Sequence, residues 1–111
     1  MEILFPIDED PREWNETKRL VRKHNAQRAK LLRRRLDDLR AAACLEVMRM
    51  LPGRCHELKG DRAGELSLDL DGPYRLIIRP ANDPVPRKQD GGLDWKGVTI
   101  VILVGVVDTH E

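Results

Sequence analysis

The chain has 111 residues, enough for one domain spanning 1–111, and 41% of its residues are apolar and 35% charged. This balance excludes collagen-like and largely disordered chains, and it allows one modest core without metal or disulfide support. The longest apolar run, 98–107, is half the ~20 residues that a membrane helix needs, and the first residues lack a secretory-signal pattern. We therefore expect a soluble, cytoplasmic protein.

The formal net charge of +1 conceals an uneven distribution along the chain. Residues 1–16 carry six acids and one arginine, residues 17–56 carry twelve basic residues and three acids, and residues 57–111 carry seven basic residues and ten acids. The middle segment therefore has a net charge of +9. Such a concentration is typical of a polyanion-binding surface or of a solvated helix face, and on charge alone the solvated face is the simpler interpretation.

The first half of the chain has the pattern of two helices. Asp10-Pro11 combines a capping side chain with proline at the first helical position and predicts a helix that ends near 24–25. Asn25 can cap a second helix, in which small and apolar residues recur every three or four positions over 26–43. A short helical turn is expected at 45–50. The charged face opposite the apolar one consists of Arg28, Lys30, Arg34, Arg35 and Asp38.

From residue 56 onward the pattern changes to a period of two. Leucines alternate with polar residues over 66–70, which predicts a half-buried strand, and Asp71-Gly72 predicts a hairpin turn after it. The predicted strands are 3–5, 56–58, 66–70, 74–79 and 98–107, the last of them buried within the sheet. We therefore expect an α+β fold, with two N-terminal helices packed on a small, mostly antiparallel β-sheet.

The cysteines give no sign of redox or metal chemistry. Cys44 and Cys55 are too few for a disulfide framework, and with the three histidines they form neither a C-x-x-C nor a zinc-binding pattern. We expect both thiols to be buried or chemically idle, and we expect no metal and no other cofactor.

Basic residues around the predicted hairpins point to a candidate site on one face of the sheet. Arginine binds phosphate through a planar fork, lysine supplies a point charge or a proton, and histidine exchanges a proton near neutral pH. The candidates are Lys59 and Arg62 in the turn 56–64, Arg75 and Arg79 on one face of the return strand, and His110 after the last strand.

This combination suits the cleavage of RNA, whose own 2′-hydroxyl can attack the neighbouring phosphate. A protein promotes the reaction by aligning the two groups, removing the hydroxyl proton, stabilising the phosphorane and protonating the leaving oxygen. The simpler alternatives are turn charges, a solvated tail residue and cross-strand pairing of Arg75 or Arg79 with Asp69 or Glu57. The low aromatic content, 4%, argues against a base-stacking platform.

The segment 51–64, with the sequence LPGRCHELKGDRAG, resembles the LPG…HxLKGDRxG signature of HigB-type toxins of the RelE/ParE superfamily. Residues 67–76 are similar to a strand pair of these proteins, and residues 33–39 are similar to the R-x-L-x-x-L pattern of their second helix. The ending 107–110 resembles their terminal D-Y-H. The likeness covers about residues 25–111 in the same order.

The resemblance implies the toxin of a type II toxin–antitoxin pair, with two helices on an antiparallel sheet. Such a toxin is a ribosome-dependent endoribonuclease that cuts mRNA in the decoding site and halts translation. The implied partners are the ribosome, mRNA and a helix-turn-helix antitoxin that forms a hetero-oligomer with the chain, with no membrane involved. By position, the resemblance assigns RNA backbone contacts to Lys59 and Arg62, phosphate stabilisation to Arg75, proton transfer to His110, and places near the same site to His56 and Asp108.

The chain departs from the family pattern in two places, and two other functions stay open. Thr109 replaces the usual tyrosine, and a threonine hydroxyl neither titrates nor stacks like a phenol. The excursion 81–97 is longer than the short hairpin of the simplest members.

The first alternative function is a non-enzymatic, ParE-like inhibitor of a protein target such as DNA gyrase. The second is autoregulatory DNA binding with the antitoxin.

Overall fold

A five-stranded sheet organises the chain, and the computed structural model describes residues 1–109. The strands are β1 (Glu2–Leu4), β2 (His56–Glu57), β3 (Leu66–Asp69), β4 (Tyr74–Pro80) and β5 (Ile100–Asp108). The α-helices are α1 (Arg12–Asn15), α2 (Thr17–Lys23) and α3 (Ala26–Ala41), and short 3₁₀ turns occur at Leu45–Met50, Gly60–Arg62 and Trp95–Gly97. Within 1–109, no helix has the length and apolar character that crossing a bilayer requires.

The strands lie in the order β1-β5-β4-β3-β2, with β1 parallel to β5 and every other neighbour antiparallel. The predicted α+β fold is therefore confirmed. The apolar run predicted to be buried forms β5, which is flanked on both sides by other strands. One residue of β5, Val104, is an extra residue opposite the Ile77–Ile78 step of β4, because Ile77 pairs with Gly105 and Ile78 pairs with Leu103.

Helix α3 supplies one side of the hydrophobic core, as its periodicity predicts. The Asn25 side chain accepts a hydrogen bond from the backbone N–H of Arg28 at 2.8 Å and caps the helix. The buried side chains of α3 and of the sheet form one cluster, which includes Ala29, Leu32, Leu36, Leu39, Leu66, Leu68, Leu76, Ile78, Val101 and Leu103. This cluster defines the helix face of the sheet, and the opposite side is called the open face below.

The single helix predicted from Asp10 to about residue 24 is wrong, because the chain breaks at Glu16. This residue is extended, with φ −98° and ψ 121°, and separates α1 from α2. Trp14 in α1 and Leu20 in α2 are both buried. Residues six positions apart lie on different sides of a straight helix, so the break allows both side chains to reach the core.

Arg35, predicted on the solvated face of the second helix, is instead only 6% exposed. Its Nε donates a hydrogen bond to the backbone oxygen of Asp69 at 2.8 Å, and burial lowers the pKa of its guanidinium. Its Nη1 is buried without a hydrogen-bond partner among residues 1–109. Gly53 lies directly against this side chain, and its φ of +113° suits glycine.

The prediction of a half-buried strand at 66–70 is also wrong, since Ser67 is only 2% exposed. In register, Ser67 lies between His56 of β2 and Ile77 of β4. The small Ser67 side chain therefore lies between two larger cross-strand neighbours on the open face.

The two cysteines differ in their burial. Cys44 and Cys55 are both free, and Cys55 is buried. Burial raises the pKa of the Cys55 thiol to about 12, which leaves little thiolate at neutral pH.

We expect Gly53→Ala to lower the free energy of unfolding by about 2–4 kcal/mol, because overpacking adds to backbone strain. A Cβ at this position would lie 2.8 Å from Nε of Arg35. Gly64→Ala is the matched control, because Gly64 has a φ of +95° but no neighbouring atom within 4 Å of the added Cβ. Chemical denaturation measures both variants, and equal losses would contradict the proposed role of the Arg35 contact.

The Arg28–Asp71 ion pair predicts an acid-dependent loss of stability. Hydrogen bonds from Arg28, at 2.8 and 3.0 Å, lower the pKa of Asp71. A carboxylate with a lowered folded-state pKa stabilises the fold fully above its unfolded pKa, about 3.9, and loses that contribution as the pH falls through the lowered value. Asp71→Asn should therefore give a shallower fall in unfolding free energy below about pH 5.

Asp37→Asn is the control for this titration, because the Asp37 side chain is 68% exposed. It should keep the wild-type dependence in denaturation curves recorded between about pH 6 and pH 2. A wild-type slope in Asp71→Asn would show that the ion pair does not contribute.

Candidate functional site

Four side chains on the open face form one connected polar network. Nδ1 of His56 lies 2.9 Å from the backbone oxygen of Arg54, and Nε of Arg54 lies 3.1 Å from Oδ2 of Asp69. Oδ1 of the same carboxylate lies 2.9 Å from Nε of Arg75. The network therefore connects β2 to β4 through the segment before β2 and the end of β3.

The local fold explains why these residues meet. Asp69 is opposite Arg75 in the β3–β4 register, because the Asp71-Gly72 turn closes the hairpin between them. The backbone N–H of Asp69 donates to the oxygen of Gly53 at 2.7 Å, which holds the segment before β2 alongside β3. Arg54 adopts a positive φ of 49° directly after Gly53, and its side chain then reaches Asp69.

Arg75 is fixed on two of its three nitrogens. Its Nε pairs with Asp69, and its Nη1 donates to the backbone oxygens of Gly72 and Tyr74, both at 2.8 Å. Its Nη2 makes no hydrogen bond to any of residues 1–109. The side chain is 19% exposed, so a rigidly held guanidinium presents one free amino group.

His56 is held in one tautomer by its backbone partner. The Arg54 oxygen can only accept a hydrogen bond, so the nearby Nδ1 of the neutral imidazole carries the proton. Nε2 is then the unprotonated nitrogen. An imidazole in this state can take up a proton from a bound hydroxyl group.

Lys59 and Arg62 lie at the other end of β3 from the network. Both follow β2 in the loop that includes the Gly60–Arg62 turn, and both are exposed. Arg62 pairs with Glu65 at 2.8 Å. Since β3 runs from Leu66 to Asp69, about 10 Å of strand separates this loop from the Asp69 end. The structure does not bring these two cations against Arg75.

Arg79 shares the open face of β4 with Arg75, as strand parity predicts. The two arginines pair with Ile102 and Val107 of β5, and the extra residue lies in β5, so the alternation along β4 is unbroken. Four residues correspond to about 13 Å of strand. Arg79 lines a separate cavity at that end of the sheet.

Asp108 lies on the other side of the sheet from Arg75. Asp108 pairs with Tyr74 of β4. Tyr74 is on the same side of β4 as Leu76, which belongs to the core on the helix face. The extra residue Val104 shifts the alternation of β5 by one, which gives Val107 rather than Asp108 to the open face.

The end of the described chain is fastened next to Arg75. Both the backbone N–H and the hydroxyl of Thr109 donate to the oxygen of Pro73, at 2.9 and 2.8 Å. Thr109 therefore acts as a structural anchor at the end of β5. His110 lies outside the described residues.

Sequence reasoning missed Arg54 and Arg35 and treated Asp69 only as a possible cross-strand partner. The Asp69–Arg75 pairing follows from the hairpin register, since the two residues are equidistant from Gly72, the centre of the connection 71–73. Arg54 carries no periodic signal, because it lies in an irregular segment. The result is a carboxylate with two ion-paired arginines and a third that bonds its backbone oxygen, leaving a net positive surface on the open face.

Comparison with known proteins places the fold. No protein-family model matches the chain, and no curated protein matches it. Among solved structures, the chain is similar to a YoeB/ParE toxin from Agrobacterium tumefaciens, with a TM-score of 0.57 and 12% sequence identity. The similarity covers 96% of this chain and 95% of that protein. The chain therefore has the fold of this toxin over almost its whole length.

Proposed function

We propose that the chain is the toxin of a type II toxin–antitoxin pair and that it acts as a metal-independent, ribosome-dependent endoribonuclease. The observation that carries the proposal is one polar network on the open face that holds both His56, through its Nδ1, and Arg75, whose Nη2 makes no hydrogen bond within residues 1–109. The shared fold with a YoeB/ParE toxin and the sequence resemblance to HigB-type toxins support it.

In this reaction, Nε2 of His56 removes the proton of a ribose 2′-hydroxyl, and the 2′-oxygen attacks the adjacent phosphorus. Arg75 stabilises the negative charge that develops on the non-bridging oxygens through its free Nη2. The bond from phosphorus to the 5′-oxygen then breaks, and this oxygen takes up a proton, for which the proposed donor is His110. The products are a 2′,3′-cyclic phosphate and a free 5′-hydroxyl.

The remaining cations have a role in binding. Lys59 and Arg62 lie about one strand length from the Asp69–Arg75 pair, so we assign them to the RNA backbone on one side of the cleaved bond. Asp108, on the helix face, takes no direct part in this scheme. A helix-turn-helix antitoxin is the expected inhibitor and forms the hetero-oligomer.

The polar network favours the enzyme over a ParE-like inhibitor of DNA gyrase. A protein that only binds another protein needs neither an oriented imidazole nor a fastened guanidinium with one free nitrogen. These groups correspond to a general base and an oxyanion stabiliser in phosphoryl chemistry.

Expression of the chain should arrest growth, and Arg75→Ala, His56→Gln and His110→Ala should relieve the arrest. We expect a loss of cleavage rate of about 10²–10³-fold for the arginine variant and about 10²–10⁴-fold for the histidine variants. Arg22→Ala, an exposed arginine of α2, is the control and should remain toxic.

Primer extension on cellular mRNA measures the outcome, with circular dichroism to confirm folding. Cuts confined to translated messages would support the enzyme. Intact messages together with arrested gyrase–DNA complexes would instead support the inhibitor, and full toxicity of all three variants would exclude this mechanism.

Asp69 acts as a positioning residue for Arg75, and Asp69→Asn separates binding from catalysis. The asparagine removes a negative charge from the open face, so affinity for labelled RNA should stay equal or rise. The cleavage rate should fall about 10-fold to 100-fold, because Arg75 loses its ionic partner and its orientation. Fluorescence anisotropy measures the affinity for RNA, and single-turnover cleavage of mRNA on ribosomes measures the rate. A parallel loss of both would indicate a general structural defect.

A further inference from the structure

A cavity of about 550 Å³ lies at the end of β4 remote from Arg75. It is bounded by the β2–β3 loop, by Arg79 and Pro80 of β4, and by the excursion 81–97, which supplies Val85, Arg87 and Leu93. This volume falls in the range of small-molecule sites. The catalytic scheme above does not use the cavity.

Hydrogen bonds hold the excursion 81–97, which forms one wall of the cavity, against the start of β5. Asn82 bonds the backbone N–H groups of Thr99 and Ile100 at 2.9 and 3.1 Å, and its amide nitrogen bonds the Thr99 hydroxyl. Arg87 and Leu93 face each other in an isolated β-bridge. The excursion therefore forms a fixed wall for the cavity.

A buried indole joins this wall to the sheet. Trp95 donates from Nε1 to Oε2 of Glu57 at 2.9 Å, and the guanidinium of Arg49 stacks 3.6 Å from the centre of its ring. The carboxylate of Glu57 is thereby held at the cavity edge.

The polar groups around the cavity have unused bonding capacity. Among residues 1–109, the guanidinium groups of Arg79 and Arg87 make no side-chain hydrogen bond or ion pair. Oε2 of Glu57 accepts from Trp95, and Oε1 of Glu65 accepts from Arg62. The other carboxylate oxygen of each glutamate makes no hydrogen bond to a described residue. Two cationic donors and two anionic acceptors thus border a wall formed by Leu66, Val85 and Leu93.

We propose that this cavity binds one nucleotide of the RNA strand, on the Lys59–Arg62 side of the cleaved bond. The phosphate lies between Arg79 and Arg87, and the base lies against the apolar wall. The free carboxylate oxygens accept hydrogen bonds from an exocyclic amino group, as carboxylates do from cytosine N4. The identification of the ligand as RNA rests on the proposed function.

The position along the sheet favours a nucleotide over a peptide. Arg75 and Arg79 lie on the same face of one strand, about 13 Å apart, a distance that an RNA strand spans within a few nucleotides. Arg87 is a second arginine that lines the cavity, beside Arg79. A polyphosphate ligand matches such a line of cations, and the cavity then selects for the base.

The test is an NMR titration of the isotope-labelled full chain with 5′-CMP and, separately, 5′-UMP. These two nucleotides differ in the amino group against the carbonyl oxygen at position 4 of the base. We expect CMP to shift the amide resonances of Gly64 and Leu93 and to bind about fivefold or more tightly than UMP. Arg87→Ala should weaken CMP binding about tenfold, since it removes a charge-assisted partner.

Lys88→Ala is the matched control, because Lys88 is an exposed cation next to Arg87 that does not line the cavity, and CMP binding should change less than twofold. The proposal is overturned by unshifted cavity resonances, by equal affinities for CMP and UMP, or by unchanged affinity in Arg87→Ala. His56→Gln distinguishes this proposal from the catalytic one, because it should abolish cleavage and leave CMP binding intact. If the wild type cleaves mRNA but does not bind CMP, only the cavity proposal is contradicted. If it binds CMP but does not cleave mRNA, only the proposed enzymatic function is contradicted.

Discussion

The carboxylate of Asp69 and its backbone are the junction on which the open face depends. The side chain pairs with Arg54 and Arg75, the backbone oxygen accepts from the buried Arg35, and the backbone N–H bonds the oxygen of Gly53. A single residue at the end of β3 thus fixes a helix, an irregular segment and the central strand. Two ion-paired guanidinium groups against one carboxylate leave an excess of positive charge on the open face.

The elements that could be predicted from sequence are those whose signals are local. The Asn25 cap, the repeat of leucines in α3 and the Asp71-Gly72 turn depend on neighbours within a few positions, and the structure confirms them. The Asp69–Arg75 pairing is only one of several cross-strand pairings that the sequence allows, and the three-residue connection 71–73 decides it.

The features that escaped prediction depend on contacts between distant segments. Arg35 is buried because it donates a hydrogen bond to the backbone oxygen of Asp69, which lies 34 positions away in the sequence. The helical period gives no signal of that contact. The break at Glu16 is set by the core that Trp14 and Leu20 both enter. Of the candidate site, His56 and Arg75 fall within one network, whereas Lys59, Arg62 and Arg79 lie towards the far end of the strands because the β2–β3 loop closes there. Their catalytic and binding roles remain predictions.

The extra residue in β5 links chain length to surface chemistry. Leu103 and Val106 both face the helices although one number is odd and the other even. From Gly105 onward, each residue of β5 therefore faces the side opposite to the one that strict alternation from Leu103 would give it. Without the bulge, regular pairing of the same residues would place Val106 opposite Arg75 and turn the carboxylate of Asp108 toward the open face, close to that arginine. The bulge therefore absorbs one surplus residue and keeps this acid away from the basic side of the sheet, and a one-codon deletion at Val104 should leave the charge of both surfaces unchanged.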